Sequence, residues 1–322
     1  MSRLSSKTSA ASGSPDRIRA WGHLFPWLSA FWKFSRPHTI IGTSLSVTGV
    51  FLIALAETRS LASPSFSCLI PTLFACLCGN VYIVGLNQIE DVAIDRINKP
   101  HLPLASGEFS KHQAWTIVAI TGALALLIAF WQGKFLLATV GISLMIGTAY
   151  SLPPIRLKRF PLWASLCIFT VRGAIVNLGL FLHFHNGLPI LPQVWALTAF
   201  ILVFTFAIAI FKDMPDTEGD RQYNITTLTL TLGQQAVFNL SRWVLTSCYL
   251  GMGLASIWLS PAVNLPFLVT THLLLLGVLG LRSLRVNLQS QTAIADFYQF
   301  IWKLFFLEYL LFPIACLLGG RV

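Results

Sequence analysis

The sequence predicts an all-α membrane protein of nine transmembrane helices. Only 11% of its 322 residues are charged, whereas 55% are hydrophobic. The mean hydropathy of +0.71 is far above that of a water-soluble chain. Apolar residues fall in repeated runs of about 17 to 25, the length that crosses a hydrocarbon core, separated by short polar loops. The runs lack the period-2 alternation of a membrane β-barrel. Hydrocarbon offers the backbone no hydrogen-bond partner, so each run closes its own bonds as a helix.

Taken in order, residues 1–33 are Ser-rich, basic and nearly free of acid, and they read as a polar, disordered N-terminal segment. Residues 34–322 form the membrane domain. Its spans are expected at 38–56, 67–86, 114–132, 135–151, 161–183, 194–211, 236–259, 265–281 and 301–318, with the fourth and eighth the shortest. The net charge of +10 fits either a nucleic acid or an anionic membrane surface as partner. Its distribution selects the lipid bilayer and excludes nucleic acid. With the N-terminus in the cytoplasm, the N-terminal segment and alternate loops hold most of the 22 Lys and Arg, while the other face keeps Arg59, Lys134 and Arg321. Cys76 and Cys78 lack metal-site spacing and read as helix packing.

The acids are concentrated. Of 12 Asp and Glu, most lie in two windows: Glu90, Asp91, Asp95 and Glu108 after the second span, and Asp213, Asp216, Glu218 and Asp220 after the sixth. Both spans are even-numbered, so both windows emerge on one face, the cytoplasmic one. Asn87, Asp91 and Asp95 stand four apart and share a helix face, ended by Lys99 and Pro100. Asp216 and Asp220 repeat that spacing. Pro215 suits a helix start there and Gly219 a break. Clustered carboxylates repel one another unless a hard divalent cation joins them, and Mg²⁺ commonly pairs one or two carboxylates with substrate phosphates. Two such clusters on one face therefore suit a metal-bridged diphosphate. A membrane cation transporter is the competing class, but it would place its acids at mid-membrane, where only Glu308 is evident.

These windows resemble the Asn-x-x-x-Asp-x-x-x-Asp and Asp-x-x-x-Asp motifs of the UbiA-type intramembrane prenyltransferases. Flanking stretches are similar to the homogentisate prenyltransferase branch of cyanobacteria and plastids: FSRPHTIIGT at 34–43, NQIEDVAIDRINKPHLPLASGEFS at 87–110, GTAYSLPPIRLKRF at 147–160, VRGAIVNLGLF at 171–181, AIFKDMPDTEGDRQ at 209–222 and FYQFIWKLFFLEYLLFP at 297–313. The likeness covers roughly 31 to 314. Within it, Glu90 and Ala93 stand where the branch tends to carry a bulky apolar residue and an acid.

The resemblance implies nine helices around a central cavity, capped by cytoplasmic loops, in a cyanobacterial or plastid membrane with the acidic motifs facing cytoplasm or stroma. It implies Mg²⁺ and transfer of a prenyl group from phytyl diphosphate to homogentisate, with loss of CO₂ and pyrophosphate. Geranylgeranyl and solanesyl diphosphate are the rival donors. Asn87, Asp91 and Asp95 are then expected to hold one metal ion and Asp216 with Asp220 a second, with Asp213 in reserve. Lys158 and Arg159 lie on the same face and reach diphosphate oxygens, or else are an ordinary positive loop. Arg36 sits at the mouth of the first span and Lys212 at the end of the sixth. Arg172, inside the fifth span, is expected to face the bundle interior and serve the site or its support. Asn177 is a further substrate-binding candidate, and Tyr150 an aromatic face for an allylic cation. His183 and His185 fall on the opposite face by parity and read as interfacial, whereas His38 and His101 lie on the side of the acids.

Overall fold

The computed structural model describes residues 15–58, 66–222 and 227–319; the side chains at 15–24, 58, 161 and 218–220 lie outside the described set. Fifteen α-helices account for nearly all of it, and no strand occurs among the described residues. They are α1 (Pro15–Phe34), α2 (Pro37–Thr58), α3 (Phe66–Glu90), α4 (Val92–Asn98), α5 (Pro103–Ser106), α6 (Lys111–Gln132), α7 (Lys134–Ser151) and α8 (Pro161–Phe169). After a π-helical segment, Thr170–Ile175, come α9 (Val176–Phe184), α10 (Pro192–Phe211), α11 (Thr217–Gln222), α12 (Leu228–Leu232), α13 (Gln234–Leu259), α14 (Leu265–Ser283) and α15 (Gln291–Leu318).

Among the described residues eight helices are long and apolar enough to cross a membrane, with α8, the π segment and α9 acting as one. The expected count of nine includes α13, a helix of 26 residues. Asn239, Ser241, Arg242 and Ser247 make it less apolar than the other eight. Two expectations for the polar segments change. The N-terminal stretch is helical from Pro15, and its described part packs apolar rings on the bundle end: Trp27 stacks on Phe31 at 5.4 Å, and Phe34 meets Phe109 edge-on. Gln88 fastens it further, donating from Nε2 to the Phe34 carbonyl at 2.7 Å. Residues 1–14 lie outside the described residues. The second change is at Gly219, which lies within α11 rather than breaking a helix.

The main apolar cluster runs through α2, α3, α6, α7, α9, α10, α13, α14 and α15, with Phe51, Phe204, Phe211 and Phe305 fully buried in it. A smaller one joins α1, α3, α5 and α6 around Phe34 and Phe109. His272 and Glu308 are buried together between α14 and α15, 3.1 Å apart. The short helices α4, α5, α11 and α12 gather at one end of the bundle, where α11 packs on α4.

Candidate active site

A cavity of about 1280 Å³ opens beneath that gathering of short helices. Its wall takes Asn87, Asp91 and Asp95 from the first acidic window, Asp213 and Asp216 from the second, and Arg36, Tyr150, Lys158, Arg159, Arg172 and Lys212 from elsewhere. Residues far apart in sequence thus meet at one place.

The first window is not one continuous helix. Asp91 separates α3 from α4 with φ −108° and ψ 14°, the bridge region used by many active-site residues. The hydrogen-bond ladder nevertheless survives. The Asp91 amide donates to the Asn87 carbonyl at 3.1 Å, Asp95 to Asp91 at 2.8 Å, and Lys99 to Asp95 at 2.7 Å. Asn87, Asp91 and Asp95 therefore keep a common face despite the kink. Asn87 Nδ2 also donates to Asp91 Oδ2 at 3.0 Å, leaving its own amide oxygen for the cavity.

Cations surround the carboxylates. Asp91 Oδ1 lies 2.7 Å from Lys158 Nζ and 3.2 Å from Arg156 Nη2. Lys99, expected only to end a helix, forms an ion pair with Asp216 and so clasps the two windows together. Lys212 lies 3.4 Å from Asp213 and donates to the Tyr150 hydroxyl at 3.4 Å. Burial pushes the Asp95 carboxyl up, with Asp91 and Asp216 adding repulsion and Arg36 and Lys99 opposing. Burial likewise raises Asp213 against the pull of Lys212. Lys158 is drawn down by burial, with Asp91 opposing. Each direction marks charge held away from water.

Two arginines at this mouth occupy left-handed backbone, Arg36 at φ 53° and Arg156 at φ 40°. Such strain in a non-Gly residue tends to persist at functional sites, where surrounding structure holds it. Arg36 precedes Pro37, which disfavours the right-handed helical region. Arg156 has no sequence signal to set it apart from Lys158 and Arg159, and sequence reasoning missed it.

Deeper in, Arg172 reaches the cavity from the π segment. The Val176 amide skips back to the Val171 carbonyl, the wider turn that defines this geometry. Gly173 makes it fit: a Cβ there would stand 2.6 Å from Leu202 Cα of α10. Asn177 does not line the cavity. Its Nδ2 donates to the Gly173 carbonyl and its Oδ1 accepts from the Tyr309 hydroxyl, both at 2.7 Å, so it braces the π segment from behind. The Asp220 side chain lies outside the described residues. His183 is remote from the mouth, 2.9 Å from Thr72 Oγ1. His38 and His101 both line the cavity, with His38 tilted on Trp302 at 4.9 Å.

Among the described residues no three His, Cys, Asp or Glu side chains converge closely enough to hold a metal by themselves. The donor set is nonetheless hard oxygen throughout, and Asp95 Oδ2 is buried with no hydrogen-bond partner. That orphaned oxygen, the spare Asn87 carbonyl and substrate phosphate oxygens fit Mg²⁺, which ordinarily shares its shell with phosphate and water.

Residues 45–304 match the UbiA prenyltransferase family. The chain belongs to that family. It is 58% identical over 294 residues to a homogentisate phytyltransferase of Synechocystis sp., covering 89% of this chain and 96% of that one. A chloroplastic homogentisate phytyltransferase of Arabidopsis thaliana is 42% identical, covering 89% of this chain and 75% of its own. A chloroplastic homogentisate solanesyltransferase of the same plant is 38% identical, over 88% and 77%. A solved UbiA homolog from Archaeoglobus fulgidus, bound to GPP and Mg²⁺, superposes with a TM-score of 0.63 at 15% identity, covering 89% of this chain and 99% of that one, which shows the fold.

Proposed function

We propose that this protein transfers the phytyl group of phytyl diphosphate to homogentisate, with Mg²⁺, giving 2-methyl-6-phytyl-1,4-benzoquinol, CO₂ and pyrophosphate in the formation of tocopherols. The observation that carries this reading is 58% identity to a homogentisate phytyltransferase over 89% of the chain. The lower identity to a solanesyltransferase favours the shorter donor.

Asn87, Asp91 and Asp95 would hold one Mg²⁺, and Asp216 with Asp220 a second. That ion, when bound, neutralises charge developing on the departing pyrophosphate. Lys158, Arg36, Arg156 and Arg159 surround the same space and bind the diphosphate oxygens. Lys158 and Arg156 exchange Asp91 for phosphate as their partner. As the allylic C–O bond breaks, its electron pair leaves with pyrophosphate, and the cavity wall keeps water from the carbocation. Tyr150 and Tyr298 supply its aromatic faces. A homogentisate ring carbon forms the new C–C bond and gives up its proton. The methylene that releases CO₂ gains one, so the protons balance.

A transporter is disfavoured because the mid-span acid, Glu308, is committed to His272 and lies outside the cavity wall. The deciding assay supplies membranes with labelled homogentisate, Mg²⁺ and competing phytyl, geranylgeranyl and solanesyl diphosphates. The phytylated quinol is expected to predominate, EDTA to abolish it and Mg²⁺ to restore it. Full activity in chelator, or no lipophilic product, sinks the reading. The distribution of Lys and Arg supports a mouth on the cytoplasmic or stromal face of a cyanobacterial or plastid membrane. Cysteines introduced at Ser106 and Thr217 are expected to label from that side only, and one at Asn186 from the other. Opposite labelling of Ser106 and Thr217 would break the single mouth.

A further inference from the structure

The mouth accounts for the diphosphate, but Arg172, in the wall of the same cavity, is left without a counter-charge. Arg172 has no ion pair or hydrogen bond to another side chain among the described residues. Its contacts are rings, with its guanidinium carbon 5.1 Å from the Trp302 ring centre and 5.8 Å from that of Phe305. The space was built around it. A Cβ on Gly42 would come within 3.3 Å of Arg172 Nη1, so a larger residue there would press on the guanidinium. An arginine cannot shed its proton to escape burial. Ring contact offsets only part of the cost of a cation in a bilayer.

Depth separates this group from the mouth. Counting from Pro161 along the fifth span, Arg172 starts about 16 Å below the loop that carries Lys158, at 1.5 Å per residue. Asn80 lies about as far below Asp91 along α3. The wall of the same cavity is polar beneath the mouth, which a channel for a hydrocarbon tail does not need. Asn80 Nδ2 donates to Thr39 Oγ1 at 3.0 Å, and Thr43 Oγ1 donates to Asn80 Oδ1 at 3.4 Å. Ser46 lies one turn further along the same face of α2, and Thr39, Thr43, Ser46, Asn80 and Arg172 all line the cavity. A carboxylate, an aromatic ring and ring hydroxyls match this set: guanidinium, indole face, and hydroxyl with amide.

We propose that Arg172, backed by Trp302 and flanked by Thr43 and Asn80, is the subsite that binds the carboxylate of the aromatic acceptor. This rests on the reading of the protein as a homogentisate prenyltransferase. It assigns the two anionic substrates to two separate cation sets, the diphosphate to the mouth and the carboxylate to the pocket beneath it. The acceptor ring then lies between them, below the carbon that loses pyrophosphate.

The test compares acceptors and variants in one assay. In the wild type, the carboxamide of homogentisate, a neutral isostere, is expected to compete at least about 30-fold more weakly than the acid, as for loss of a buried charge partner. Arg172→Met is expected to raise the KM for homogentisate by about 30-fold or more, and Arg172→Lys by less. The KM for phytyl diphosphate should stay within about 3-fold in both. The preference for homogentisate over 2-methyl-1,4-benzoquinol, the same ring without the carboxylate, should fall with the loss of charge. Equal competition by acid and amide in the wild type overturns the inference without need of any variant. So does an Arg172→Met enzyme whose donor KM rises as much as its acceptor KM, since the arginine would then serve the diphosphate. A wild type that makes no product from homogentisate overturns the functional reading instead.

Discussion

The mouth of the cavity and the pocket beneath it handle charge in opposite ways. At the mouth three carboxylates of the two windows each have a cation at hand: Lys158 and Arg156 for Asp91, Lys99 for Asp216, Lys212 for Asp213. In the pocket, Arg172 has only aromatic rings. The mouth can therefore accept a highly charged ligand by exchanging partners. The pocket carries its desolvation cost before the ligand arrives, so a carboxylate that enters is rewarded for relieving it. One arrangement suits a metal–diphosphate that must enter and leave; the other suits choosing between acceptors.

The sharpest way to break this contrast is at the mouth. Asp91→Ala and Asp95→Ala are each expected to lower kcat by at least about 10²-fold, as for loss of a major electrostatic stabiliser. Asp91→Ala also strips Lys158 and Arg156 of their partner. Glu90→Ala should be milder, since its side chain points about 100° away along the helix. If Glu90→Ala proved the worst of the three in steady-state assays, the ligand assignment would fail. Next in size is the support of the pocket. Gly173→Ala puts a methyl 2.6 Å from Leu202 Cα and should cost about 1–3 kcal/mol of stability, as overpacking does. Thermal unfolding in detergent reads it, and an undiminished Tm would refute the close approach of the π segment to α10.

The smallest effect belongs to the rim, where Lys33 Nζ lies 2.8 Å from Glu108 Oε1 in water. Glu108→Gln should cost less than about 1 kcal/mol, because exposed pairs are screened. The hydrogen bond from Lys33 holds the Glu108 carboxyl below its usual value. A depressed carboxylate contributes stability above its unfolded pKa and loses it as pH falls through the folded one. The variant and its parent should therefore differ at neutral pH and converge in acid. A difference that grows with acidification would contradict the pair.

The mouth was legible from sequence because acids are so few in this chain that their spacing stands out. Asn87, Asp91 and Asp95 needed only helical periodicity and the parity of spans. Lys99 was read as a helix end because nothing in sequence shows that α4 would lie against α11. Arg156 was hidden by its backbone: a left-handed arginine looks like any other in a basic loop. Asn177 was drawn toward the substrate by its polarity inside an apolar span, when its amide is spent on a backbone carbonyl and a tyrosine. The expected seventh span, 236–259, falls within α13, a helix of 26 residues, but its polar residues keep it outside the eight that are long and apolar enough to cross a membrane. Arg172 was marked by its cost in hydrocarbon, but its aim depends on a π turn that no residue announces.

That π turn makes the fifth span sensitive to length more than to composition. A π turn holds one residue more than the α turn it replaces, so deleting a single residue between Val171 and Ile175 would let the segment close as ordinary helix. Because the wider turn takes up the extra residue, the helix on either side would keep its orientation, and only the residues of the turn itself would change place. Arg172, which lies inside that turn, would lose its place against the rings of Trp302 and Phe305, while Asn177, beyond the turn, would stay beside Tyr309. A change of one residue in the length of this segment would therefore reshape the pocket around Arg172 while the flanking helix and the mouth stay as they are.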